Sequence, residues 1–89
     1  MRDPEQVIGE VGRRVAELRA QRGMTQAQFA EKLGLTQKHL QKIELGQLNM
    51  TIRTLVRLAD RLDAGIGELF EAPTQSKAQR GRPPKKGRP

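Results

Sequence analysis

The sequence predicts an all-α protein: a compact five-helix bundle followed by a disordered basic tail. Three observations carry this. Apolar residues recur at spacings of three and four along five separate stretches. Capping residues and glycines punctuate those stretches at matching points. Only Phe29 and Phe70 are aromatic among 89 residues and there is no cysteine, so the core is built from Leu, Ile, Val and Ala, with no disulfide or thiolate metal site to reinforce it. A chain this short buries one modest core, which places a single domain at residues 1–72 and the tail at 73–89.

The first helix starts at Asp3-Pro4-Glu5-Gln6, with an acidic N-cap, proline in the first helical position and Gln at the capping-box position. Val7, Val11, Val15 and Leu18 hold one face, and the helix runs to about Arg22, where Gly23 stops it. Gly9 and Gly12 weaken its early turns, which leaves room for a later start. Thr25 caps a second helix over 26–33, which ends at Gly34. Thr36 caps the third, 37–45, and Gly46 closes it. After the polar break Asn49-Met50-Thr51, Leu55, Leu58, Ala59 and Leu62 restore helical spacing from about 52 to 62. Asp63-Ala64-Gly65 turns the chain into a short fifth helix. Its Ile66, Leu69 and Phe70 either close the core or offer a surface to a partner. From Ala72 the sequence APTQSKAQRGRPPKKGRP has no large apolar residue and cannot fold alone.

Residues 25–46 place two short helical patterns on either side of a glycine and a polar turn, the sequence shape of a DNA-reading helix-turn-helix. Phe29, Ala30 and Leu33 form one narrow apolar stripe, and Leu40 and Ile43 form the other. The opposite side of the third helix carries Gln37, Lys38, His39, Gln41 and Lys42, with no carboxylate before Glu44. Long amides and cations suit a groove lined by base acceptors. His39 has no second histidine, no cysteine and no placed carboxylate, so an exposed polar contact is expected of it rather than metal binding or catalysis.

The net charge of +7 is unevenly distributed. Residues 1–76 hold eleven Lys/Arg against ten Asp/Glu, whereas residues 77–89 hold six Lys/Arg and no acid. The tail therefore supplies most of the long-range attraction to a polyanion, an attraction that falls with salt.

The segments LRAQRG (18–23), TQAQFAEKLGLTQKHLQKIELG (25–46), NMTIRTLVRLADRL (49–62) and IGELF (66–70) together resemble the phage-repressor and Cro type of helix-turn-helix family, in its order and spacing. The resemblance covers about residues 7–71. It implies a five-helix bundle whose third helix enters the major groove, as a dimer on a palindromic operator. Carried over residue by residue, it makes Gln37, Lys38 and Lys42 base contacts, with His39 and Gln41 beside them. Gln26, Thr36, Asn49 and Thr51 match backbone-contacting positions, although Gln26 also suits a neighbouring side chain and the other three also suit caps or turns. Arg19 and Glu44 match a structural ion pair that ties the first helix to the end of the third. Met50 departs from the family, which usually has proline there.

In the tail, Arg80-Gly81-Arg82-Pro83, with Lys85, Lys86 and Arg88 following, resembles the AT-hook, a minor-groove element centred on RGRP. Glycine lets the backbone approach the groove floor, proline keeps it extended, and arginines seek the negative potential of narrow A/T tracts. Pro84 interrupts the usual basic flank.

These features make a bacterial transcription regulator the leading expectation, dimeric through Ile66, Leu69 and Phe70, nucleoid-associated and cytoplasmic. An architectural DNA binder dominated by the tail and an antitoxin-like regulator that grips a partner protein are the alternatives. An enzyme is not expected, since no nucleophile-base set, phosphate-binding glycine loop or ligand cluster is present. No cofactor, metal or membrane span is expected either.

Overall fold

Each α-helix starts with a short side chain accepting a backbone N–H that the helix leaves unpaired. In the computed structural model, which describes residues 3–73, the four α-helices are α1 (Pro4–Gln21), α2 (Gln26–Leu33), α3 (Gln37–Glu44) and α4 (Ile52–Arg61). Thr25 accepts from the Gln28 amide at 3.1 Å, Thr36 from His39 at 3.0 Å and Thr51 from Thr54 at 3.1 Å. The three threonines thus cap as the sequence predicts. A full capping box forms at α2, where the Gln28 side chain accepts from the Thr25 amide at 2.9 Å. At α1 the expected box is absent: Asp3 accepts from Glu5, and the Gln6 side-chain amide turns to Glu10 instead.

The fifth segment corrects one expectation. Ile66–Phe70 is a 3-10 helix, so the described residues contain four α-helices rather than five. The backbone has a reason for this. With Gly65 at its start and a Glu71 in extended conformation at its end, the segment has five residues in which to close hydrogen bonds, a length at which the tighter helix is common.

Val11, Val15, Leu18, Phe29, Leu33, Leu40, Ile43, Leu55, Leu58, Leu62 and Leu69 form one continuous core. Leu69 is fully buried in it, which removes it from the expected dimer surface, while Ile66 and Phe70 stay exposed. Met50, in the place of the family proline, packs against this core, and the α4 cap beside it is intact.

Gly9 and Gly12 are read from sequence as weak points, yet α1 begins at Pro4 with both glycines inside it, and of the two only Gly12 is required by packing at its own Cβ position. A Cβ on Gly12 would collide with the Ile43 carbonyl oxygen and come within 2.8 Å of that of Glu44. Gly46, at φ 74°, would drive a Cβ to 2.7 Å from the Gly9 Cα. The last turn of α3 is thus seated backbone against backbone on α1. This close contact fixes the direction in which α3 points.

Candidate nucleic-acid interface

Leu40, Ile43 and Glu44 turn inward from α3, and Gln37, Lys38, His39, Gln41 and Lys42 are all exposed. The sequence-predicted base-contacting set is therefore brought together on one helix. Thr36, Lys38, His39 and Lys42 line a shallow depression with Leu48 at its edge. Gln37 is not part of that lining and sits at the helix start, beside the Thr36 cap.

Glu44 is the only carboxylate in α3, and its removal from the face is the main electrostatic event of the site. It is 7% exposed. Arg19 holds it in a two-pronged pair, Nε to Oε2 at 2.7 Å and Nη2 to Oε1 at 3.1 Å, as the resemblance implies. The same guanidinium donates through Nη1 to the Met24 carbonyl at 2.8 Å. Such planar, forked pairing satisfies the buried charge by hydrogen bonding as well as by Coulomb attraction. What remains outward on α3 is cationic or neutral.

Gln26 joins this network. Its Nε2 donates to Glu44 Oε1 at 2.9 Å, so of the two roles open to it the neighbouring side chain takes one amide hydrogen. A side-chain amide carries two such hydrogens, so this bond uses one of them. The Thr36 hydroxyl accepts its cap bond and keeps its own hydrogen to donate. Thr51 also caps, and shares a 3.1 Å hydrogen bond with the Thr54 hydroxyl. Asn49 is exposed in the turn before α4. Arg80, Gly81, Arg82, Pro83, Lys85, Lys86 and Arg88, and with them the expected disorder of the tail, lie outside the described residues.

Sequence reasoning missed two features. Arg14, 8% exposed, donates to Glu17 at 2.7 Å, to the Glu68 carbonyl at 2.9 Å and to Glu71 at 3.1 Å, tying α1 to the 3-10 segment and the residue after it. Its partners stand 54 and 57 residues away, beyond any local pattern. Leu45, the C-cap of α3, is 62% exposed on the same helix as the lysines. Its spacing of three from Lys42 and seven from Lys38 was a signal open to the sequence.

A helix-turn-helix family model matches residues 15–69. The chain is 37% identical over 59 residues to the uncharacterized HTH-type transcriptional regulator y4dJ of Sinorhizobium fredii, covering 66% of this chain and 77% of that one. It is 35% identical over 57 residues to an uncharacterized HTH-type transcriptional regulator of Archaeoglobus fulgidus, covering 64% and 81%. Among solved structures it is similar to the restriction-modification controller protein C.AhdI from Aeromonas hydrophila, at 32% identity and a TM-score of 0.72, covering 78% of this chain and all of that one. With α2 and α3 in the helix-turn-helix arrangement, an exposed amide-and-lysine face on α3 and a family match across most of the folded residues, the chain belongs to the helix-turn-helix family of DNA-binding transcriptional regulators.

Proposed function

We propose that the chain is a sequence-specific transcription regulator that binds a palindromic operator as a homodimer, each α3 reading one half-site from the major groove. The observation that carries this is the sorting of charge on α3: Lys38 and Lys42 face solvent while Glu44 is turned inward and neutralised by Arg19. A groove edge rich in acceptors repels a carboxylate and attracts lysine and amide groups. Gln37, Lys38 and Lys42 contact bases, with His39 and Gln41 at their sides. Gln26, Thr36, Asn49 and Thr51 contact the sugar-phosphate backbone and fix the register. Residues 1–72 act as the DNA-binding domain, in the cytoplasm. The +6 segment 77–89, through Arg80, Arg82, Lys85, Lys86 and Arg88, adds contacts in the minor groove or along the phosphates. Among the described residues, Ile66 and Phe70, with Ile52 and Val56 of α4, are the exposed large apolar side chains outside α3 and its cap, and they are available to a second copy.

Selection from a random DNA pool, run with the full chain and with residues 77–89 deleted, tests this. The expected product is a palindrome with half-sites about one DNA turn apart. Gln37→Ala should weaken binding to it by about tenfold, with much less effect on random DNA. Deleting the tail should lower the slope of log affinity against log salt by up to about 5 while leaving the selected sequence unchanged. Equal loss on both DNAs for Gln37→Ala, or loss of all sequence preference with the tail, overturns the reading.

A further inference from the structure

The face that α3 turns to solvent ends in an apolar group, Leu45, the helix C-cap, which is 62% exposed. Leu45 continues the helix in right-handed conformation, at φ −85° and ψ −2°, so its direction follows the same rotation as its neighbours. At about 100° per residue, the direction opposite Leu40, Ile43 and Glu44 falls among Lys38, Lys42 and Leu45, each within about 35° of it. Gln41, His39 and Gln37 lie further round, about 70° to 115° away. Leu45 thus stands in the row of the two lysines, about 4.5 Å along the axis from Lys42, and is the most outward apolar group on the helix.

Resting on the proposed reading of α3, we infer that Leu45 is a specificity-determining residue that packs on the 5-methyl group of a thymine. The major groove displays one alkyl group, the thymine methyl, among the hydrogen-bond donors and acceptors of the base edges. A leucine side chain has nothing to offer a donor or an acceptor. Pressed against one, it strips water from a polar edge and returns no bond. Against a methyl it removes apolar surface from water on both sides. The two lysines, one and two turns nearer the helix start, supply attraction without fixing which base lies beside Leu45. Leu45 discriminates by apolar contact at that position, a few base pairs from the one that Lys38 reads.

The test uses the full chain and the DNA site recovered by selection, with each thymine replaced in turn by deoxyuridine, which lacks only the methyl. One thymine in each half-site should stand out, its replacement weakening binding roughly fourfold, the worth of one buried methyl-sized group. Leu45→Ala should lose that sensitivity and no other, and Leu45→Met, which keeps apolar reach, should retain it. Leu45 is exposed and its backbone ordinary, so both variants should melt with the parent. Indifference of the parent to every replacement, or the same sensitivity in Leu45→Ala, overturns the inference and leaves the proposed function standing. A pool that yields no preferred sequence overturns both.

Discussion

Arg14 and Arg19 leave the same helix with the same chemistry and anchor opposite ends of the domain. Arg19 reaches α3 and concentrates its bonding on one carboxylate, whose side chain is 6% exposed. Arg14 divides its bonding among the buried Glu17, a backbone carbonyl and Glu71, whose side chain is 61% exposed. The difference teaches which end of the fold is rigid by charge. At α3 the arginine and the glutamate depend on each other, since the Glu44 carboxylate is shut off from water and Arg19 places two of its hydrogen bonds on it. At the chain exit, water can replace the Glu71 carboxylate, and the arginine keeps its other partners. The site proposed to read DNA is the one built on the less forgiving pair.

The largest expected effect comes from breaking that pair. Glu44→Ala strands the Arg19 guanidinium and releases Gln26, at a cost of about 3–5 kcal/mol in urea or thermal unfolding. On the proposed reading, DNA affinity of the folded fraction falls with it, because Gln26 loses the acceptor that orients its amide. A loss below about 1 kcal/mol, the range of an exposed pair, would break the contrast between the two arginines.

A middle effect is expected where α1 meets the end of α3. Gly12→Ala should destabilise by about 1–3 kcal/mol, since its new methyl meets the backbone carbonyls of Ile43 and Glu44. Gly9→Ala is the matched control. Its methyl meets only the tip of Arg13 at 3.9 Å, and it should be neutral or stabilising by up to about 1 kcal/mol. Equal effects of the two substitutions would remove the close backbone contact from the account of how α3 is seated.

The smallest effect should come from Glu71→Ala, under about 1 kcal/mol and reduced further by salt. A cost rivalling that of Glu44→Ala would mean that the chain exit is held as tightly as the reading helix.

Much of this fold was legible because it depends on neighbours within one helical turn. Thr25, Thr36 and Thr51 each bond an amide three residues on, so the sequence that holds the cap also holds its partner. The apolar spacing of Phe29, Ala30, Leu33, Leu40 and Ile43 likewise gave the buried face of both helices. Other residues were ambiguous for a physical reason. Leu69 and Phe70 are adjacent apolar residues, and only the direction of the 3-10 segment decides that Leu69 enters the core and Phe70 stays 54% exposed. Gln26 has an amide suited to a phosphate or to a carboxylate, and the position of Glu44 settles where one of its hydrogens goes.

The sequence by itself determined the helix starts, the faces they bury and the amide-and-lysine character of the third helix. Those properties are set by backbone hydrogen bonds and side-chain periods that span a few residues. Tertiary structure alone decided that Gly12 is needed, that Arg14 latches the chain exit and that Gln26 joins the Arg19–Glu44 pair, a pair that the resemblance had implied. Each of these rests on groups far apart in the chain. Their meeting is fixed by packing, which no local pattern records.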